Sequence, residues 1–310
     1  MSAIYTFIVI VLGILAVAGL FVGVTNDAVN FLNSAIGSKV APKKVILLVA
    51  SIGIIIGAVT SSGMMEVARS GMFDPSLFSF HEVMMLYLGV MFANIILLDL
   101  YNTWGLPTST TVSLIFCLLG SAIAVSIFKI ASNPDITLAN LGEYINSDRA
   151  LGIIAAILLS VVLAFTCGMI VMYISRLIFT FRYHKIFRNW GALWCGVSLA
   201  SIVYFAVFKG LKAPLAGTAF IAYVTDNMAI ALLITWAVCS AILWILQRLN
   251  VNILKITILA GTFALALAFA GNDLVNFIGV PIAGYDSYQM ARISGDTQML
   301  MNGLKESVPA

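Results

Sequence analysis

The sequence predicts an all-α polytopic membrane protein with about eight transmembrane or re-entrant helices. Hydrophobic residues make up 62% of the 310 residues and charged residues only 9%, whereas soluble domains carry about 25% charged residues. The mean hydropathy is +1.07. The apolar runs are long and continuous, which favours helices over alternating barrel strands, because backbone groups in lipid must be hydrogen-bonded.

Several apolar runs are long enough to cross a hydrocarbon core of about 30 Å. They lie near residues 4–24, 45–60, 82–101, 107–128, 150–175, 190–208, 228–247 and 256–272. No Lys or Arg precedes the first run, which continues for about twenty residues, so it predicts a spanning helix and not a cleaved signal peptide. The runs at 82–101 and 107–128 fit either two full crossings or a re-entrant hairpin.

The loops between these runs indicate the orientation, because Lys and Arg accumulate on the cytoplasmic side. The first, fifth and seventh loops are basic, and the second and fourth are net acidic. The sixth loop, with Lys209 and Lys212, is a weak exception. We therefore expect the N-terminus to face outward. The basic residues of the odd-numbered loops are Lys39, Lys43, Lys44, Arg176, Arg182, Lys185, Arg188, Arg248 and Lys255.

An acidic motif, Asn-Asp-x-Val-Asn-Phe, occurs at 26–31 and again at 272–277. A charged side chain at the bilayer centre costs about 2.5 to 3.5 kcal/mol on insertion scales, so it indicates a functional role. Seven crossings separate the two copies, which gives them opposite polarity and predicts inverted-topology repeats with a site near the midplane. We expect a first repeat at 1–175, a basic loop with connecting helices at 176–250, and the start of a second repeat at 251–310.

The first copy of the acidic motif predicts a polar stripe on one helix face, by spacings of three, four and seven residues. The stripe comprises Asn26, Asp27, Asn30, Asn33 and Ser34. Carboxylate and amide oxygens are suitable ligands for a small cation, and Gly23 and Gly37 would let the helix break beside it. The alternative is that these side chains cap a helix end or hold helices together.

A hydroxyl run follows Pro107 and precedes an apolar helix: Thr108, Ser109, Thr110 and Thr111. Proline favours the first helical position, and a helix N-terminus offers amide donors and partial positive charge, so the run is suited to an oxyanion. The alternative is an ordinary capped helix start. Asn94 and Asp99 either line the same cavity or only meet the membrane interface.

Other classes of function lack support in the sequence. The four cysteines fall inside apolar runs without CxxC pairs, which predicts packing roles. No nucleotide or hydrolase motif occurs in the required context, so we expect no enzyme activity and no cofactor. A net charge of +3 with scattered basic residues predicts no nucleic-acid partner. His81 and His184 are interpreted as surface histidines, and the residues at 225–227 as a helix N-cap.

The two acidic motifs resemble the duplicated signature of the inorganic phosphate transporter (PiT) family, here at 24–30 and 270–276. The stretch at 105–111 is similar to the other signature of that family. The resemblance implies secondary active transport of inorganic phosphate by symport with Na⁺ or H⁺, in a multi-pass inner or plasma membrane protein. The expected partners are phosphate, the coupling ion and the lipid bilayer, and a homodimer is left open.

The resemblance also implies roles for the residues of these motifs. We expect phosphate to contact the hydroxyl run and the amides of Asn30 and Asn276. We expect the coupling ion to contact the residue pairs Asn26 and Asp27, and Asn272 and Asp273. Na⁺, if it is the coupling ion, would be bound as a metal by the two aspartates.

Three departures from the family pattern affect these expectations. Val112 stands where the family usually has His, and Thr25 replaces a small apolar residue. The chain ends at Ala310 soon after the second acidic motif, so the resemblance implies a fragment that lacks the rest of the second repeat. The alternatives are a carrier for sulfate or another oxyanion, and a non-transporting membrane scaffold or fragment.

Overall fold

The computed structural model describes residues 3–60, 71–106, 108–132, 140–180, 183–205, 218, 224 and 226–305. Its α-helices are α1 (Ala3–Gly37), α2 (Lys43–Thr60), α3 (Phe80–Trp104), α4 (Thr110–Ala131), α5 (Leu141–Tyr144), α6 (Ser147–Ile178), α7 (Tyr183–Phe205), α8 (Met228–Arg248), α9 (Ile253–Phe269) and α10 (Val275–Ser294). Pro107, Thr225, Lys209 and Lys212 lie outside the described residues.

The predicted all-α fold is confirmed. The described part of the chain contains no β-strand, and only two isolated bridges occur there. Seven of its helical segments are long and apolar enough to cross a membrane. The predicted run at 45–60 forms α2, which has 18 residues. The protein is therefore a multi-pass membrane protein.

Both acidic motifs lie inside helices, which corrects the predicted helix ends at 24 and 272. Helix α1 continues without a break through Gly23 to Gly37. The second copy begins in a π-helical turn, Ala270–Leu274, that joins α9 to α10 in one segment of 42 residues. A π-turn widens the helix locally and is frequent at functional sites. The helix therefore changes geometry at Asp273 instead of ending there.

The described residues form two compact units, and α1 and α6 contribute to both. Unit 1 comprises Met1–Ala28, Ser62–Leu159 and Asn272–Ala310. Its core surrounds α3, where Phe80, Tyr87 and Met91 are fully buried. A capping box between Ser79 and Glu82 begins α3. Such a box pairs helix-end amides that would otherwise lack partners.

Unit 2 comprises Val29–Ser61 and Ser160–Gly271. In this unit α2 packs on α9, and α7 packs on both α8 and α9. The α2 and α9 backbones approach closely, because a Cβ at Gly53 would lie 2.6 Å from the Phe263 carbonyl oxygen. Small residues allow this approach in membranes, where helix association depends on packing.

Candidate functional site

The start of α4 is shaped by local hydrogen bonds within the hydroxyl run. Gly105 ends α3 with φ of 66°, a left-handed conformation that glycine adopts without strain. Ser109 is the N-cap of α4, and its Oγ accepts a hydrogen bond from the Val112 backbone N–H at 3.3 Å. Ser109 is exposed. Ser109 therefore acts as an ordinary helix cap, as the alternative interpretation of the hydroxyl run predicts. Thr110 and Thr111 occupy the first turn of α4.

Asn26 holds the loop between α3 and α4. Its Nδ2 donates to Asn102 Oδ1 at 2.6 Å, and its Oδ1 accepts from the Thr108 backbone N–H at 3.4 Å. Asn102 Nδ2 in turn donates to the Val22 carbonyl oxygen at 3.0 Å. These contacts tie α1 to both sides of the loop, so Asn26 positions the hydroxyl run.

The hydroxyl run meets the second acidic motif, about 160 positions later in the chain. Asp273 Oδ1 accepts hydrogen bonds from Thr111 Oγ1 at 2.7 Å and from Thr110 Oγ1 at 3.2 Å. Asn276 Nδ2 donates to Thr111 Oγ1 at 2.8 Å. Because the Thr111 hydroxyl has one proton, which goes to Asp273, Asn276 must present its NH₂ group to Thr111.

Asp27, from the first acidic motif, lies beside the same hydroxyl run and Asp273. Its side chain is only 5% exposed, and Thr110 lies within hydrogen-bonding reach of its carboxylate. Asp27 and Asp273 are close enough for their charges to repel each other. Two like charges in a low-dielectric environment are unfavourable, and a bound cation would relieve the repulsion.

Two buried amides add unused hydrogen-bonding groups to this cluster. Asn276 is 1% exposed and Asn94 is fully buried. Within the described part of the chain, Asn276 Oδ1 and Asn94 Nδ2 have no hydrogen-bond partner. Asn94 Oδ1 accepts from Ser113 Oγ at 2.6 Å, one turn into α4. Leaving such a group unsatisfied costs about 1 to 3 kcal/mol, so both atoms are suited to hydrogen-bond a bound ligand or an ordered water.

The cluster fits a small, hard cation. The Asn276 Oδ1 atom and the carboxylates of Asp27 and Asp273 are all oxygen ligands, the type that such ions prefer. Asp273 forms no ion pair with a described Lys, Arg or His. No group of three or more His, Cys, Asp or Glu residues that would hold a metal ion occurs in the described ranges. An all-oxygen donor set suits a hard cation better than a soft transition metal.

The remaining predicted site residues lie in different surroundings. Thr108 is partly buried at the loop held by Asn26, and Asn272 is exposed. Asn30 is exposed and belongs to unit 2. Asp99 is also exposed, whereas Asn94 is buried beside Ser113. Asn94 thus contacts α4 one turn beyond Thr110, whereas Asp99 lies on an exposed face of α3.

Sequence reasoning missed the contributions of Asn102, Ser113 and Phe277. The Phe277 ring is fully buried and lies directly against Gly19 and Gly23 of α1, where an added Cβ would overlap it. The signal was the repetition of Phe at the end of both acidic motifs. Asn102 carried no comparable signal, because a single amide near a helix end is common.

The chain is similar to known proteins both in sequence and in fold. The model of the "Phosphate transporter family" matches residues 23–303. Two relatives, from Mycobacterium bovis and Mycobacterium tuberculosis, are each named "Putative phosphate permease" and are 34% identical over 122 residues. Each alignment covers 37% of this chain and 22% of the relative.

A solved structure named "The sodium-dependent phosphate transporter" has a similar fold, with a TM-score of 0.70 and 18% sequence identity. The similarity covers 96% of this chain and 74% of the other. The family match includes both acidic motifs and the hydroxyl run. The chain therefore belongs to the phosphate transporter family.

Proposed function

We propose that this protein transports inorganic phosphate across a cell inner or plasma membrane by symport with Na⁺. The observation that carries the proposal is the convergence of Asp273 with Thr110 and Thr111 beside Asp27. Groups suited to an anion and groups suited to a cation thus occur within one largely buried cluster. The transporter of similar fold is named as sodium-dependent, which favours Na⁺ over H⁺.

The cation would be held by Asp27, Asp273 and the Oδ1 atom of Asn276. Na⁺ here is cargo, and its charge offsets the repulsion between the carboxylates. A cation that takes the Asp273 carboxylate as a ligand would compete for it with the hydroxyls of Thr110 and Thr111, which would free these hydroxyls to donate to an anion. A cation is therefore needed before the site accepts a negatively charged ligand.

Phosphate would bind at the first turn of α4, with Asn94 Nδ2 as a further donor. A helix N-terminus favours an oxyanion through its amide donors and partial positive charge. Either ion alone in a low-dielectric site is costly, and each bound Na⁺ lowers the negative charge that the phosphate meets. Charge compensation is therefore the proposed coupling mechanism. The inverted repeats expected from the sequence would supply the alternating access.

The test is uptake of radiolabelled phosphate into proteoliposomes that contain the chain. We expect uptake with an inward Na⁺ gradient and none with a proton gradient alone or without a gradient. Asp273→Asn should abolish the Na⁺-driven uptake. Asp99→Asn should leave it unchanged, because Asp99 is an exposed carboxylate on α3 outside the cluster. Excess sulfate should not compete.

Na⁺-dependent binding of radiolabelled phosphate to the detergent-purified chain provides a second readout, which does not need a complete transport cycle. Folded wild-type protein that binds no phosphate at any Na⁺ concentration would refute the proposal. Competition by sulfate at equal concentration would instead support a general oxyanion carrier. Equal uptake by wild type and Asp273→Asn would show that the cluster takes no part in transport.

A further inference from the structure

A concave feature lies in unit 2, away in sequence from either acidic motif. It is a groove of about 740 Å³ beside α7. The described residues that line it are Ile178, Phe179, Lys185, Ile186, Asn189, Trp190, Leu193, Trp194, Val197 and Trp236. Most are apolar or aromatic, and Lys185 is the only charged residue among them. The groove therefore combines an apolar surface with one cationic end.

The groove follows a single face of α7. Its lining residues recur there at spacings of one, three and four positions, from Lys185 to Val197, which is the periodicity of one helix face. At 1.5 Å per residue this face is about 18 Å long. One leaflet of a bilayer with a core of about 30 Å contributes about half of that thickness. The groove therefore has the length of an acyl chain in one leaflet.

The floor of the groove is held in place by neighbouring helices. Phe179, which follows α6, packs edge-on against Trp194 with ring centroids 5.8 Å apart. Trp236 Nε1 on α8 donates a hydrogen bond to the Leu193 carbonyl oxygen at 3.2 Å. Trp190 is 60% exposed at the rim. Tryptophan is enriched at membrane interfaces, where its ring meets the headgroup level.

The Lys185 end of the groove lies in cationic surroundings. Arg176, near the end of α6, and Arg188, on α7, are the described cations nearest to Lys185 in the chain, and no acidic residue occurs between positions 149 and 225. Gln247 Nε2 donates to the Phe187 carbonyl oxygen at 3.2 Å, which brings the end of α8, with Arg248, to the start of α7. Lys185 forms no ion pair with any carboxylate that the structure describes. Its ammonium group is thus available to an anionic ligand.

We propose that this groove binds an anionic phospholipid, with one acyl chain along α7 and the headgroup phosphate on Lys185. Basic pockets between transmembrane helices bind anionic headgroups, and each Lys or Arg near a membrane surface contributes about 1 kcal/mol. The apolar face of α7 contacts the acyl chain. The cationic end at Lys185 favours a lipid with an anionic headgroup. This site is independent of the proposed transport function.

The test is native mass spectrometry of the detergent-purified chain, titrated with phosphatidylglycerol or with phosphatidylcholine of the same acyl chains. We expect one phosphatidylglycerol per chain, bound roughly fivefold more tightly than phosphatidylcholine. Lys185→Gln should remove this preference. Lys44→Gln is the matched control, because Lys44 is another helix-end cation of unit 2 that does not line the groove. Leu193→Trp, which fills the groove, should lower binding of both lipids.

Three results would overturn the proposal. The first is equal affinity of the wild-type chain for both lipids, a comparison that needs no variant to fold. The second is an equal loss in Lys185→Gln and Lys44→Gln, which would indicate general electrostatic attraction. The third is occupation of the groove by something other than a lipid, seen either as displacement of the lipid by inorganic phosphate alone or as a lipid-free dimer that covers the groove.

Discussion

Thr111 is the residue on which the cluster depends most directly. Its hydroxyl donates to Asp273 and accepts from Asn276, so one oxygen joins α4 to both sides of the junction between the π-turn and α10. Hydrogen bonds to charged groups contribute about 1.5 to 3 kcal/mol, more than neutral ones. The shape of the side chain matters less than its oxygen, because the surrounding helices define the space.

Thr111→Val should therefore weaken Na⁺-dependent phosphate binding roughly tenfold or more, since it keeps the shape and removes the hydroxyl. Thr111→Ser should retain most of the affinity. Equilibrium binding of radiolabelled phosphate at saturating Na⁺ measures both. Thr103→Val, an exposed threonine on α3, is the control. An affinity of Thr111→Val equal to that of Thr103→Val would exclude Thr111 from the site.

At the scale of elements, the contact between α1 and α10 aligns the two acidic motifs. The ring of Phe277 occupies the space that side chains at Gly19 and Gly23 would need. Asp27 lies one turn after Gly23, and Asp273 lies one turn before Phe277, so this close approach governs the separation of the carboxylates. A displacement of the Phe277 ring would therefore be transmitted to the carboxylates, because densely packed side chains have little room to relax.

Gly23→Ala should push Phe277 away and lower the apparent Na⁺ affinity of phosphate binding several-fold. Gly13→Ala is the matched control, because it lies on the same helix and an added Cβ there meets no atom within 4 Å. Binding of phosphate as a function of Na⁺ concentration measures the effect. The double variant Gly23→Ala with Phe277→Leu should recover part of the affinity. A Gly23→Ala variant that matches Gly13→Ala would show that the contact is not needed.

At the scale of the whole molecule, acidic and basic residues are divided between the two units. Unit 1 carries twelve of the thirteen acidic residues and both aspartates of the cluster, whereas unit 2 carries most of the cations. Burying two carboxylates destabilises unit 1 unless a cation compensates them. Ligand binding to the folded state should therefore appear as added stability.

Na⁺ should raise the midpoint of thermal unfolding of the purified chain, whereas choline at equal ionic strength should not. At a hundred times the dissociation constant the added stability is about 2.7 kcal/mol. Asp273→Asn should have a higher midpoint without Na⁺, because one buried charge is removed, and a smaller Na⁺-dependent shift. Equal shifts with Na⁺ and choline, or an undiminished shift in Asp273→Asn, would contradict a cation site at Asp273.

From composition and spacing alone, the chain is recognisable as an all-α membrane protein, and the motifs that carry polar groups can be located. Those conclusions depend on composition and local spacing, because each spanning segment must be compatible with lipid on its own. The hydroxyl run was visible as a helix start for the same reason. The family resemblance also rested on these local motifs.

The contacts that each residue of these motifs makes are visible only in the three-dimensional packing. The two acidic motifs have almost the same sequence. Nevertheless, Asn26 holds the loop between α3 and α4, whereas Asn276 contacts Thr111. Asp273 meets the hydroxyl run although some 160 positions separate them in the chain. Contacts of this kind depend on how helices pack and where a π-turn rotates a side chain, and neither is encoded in local spacing.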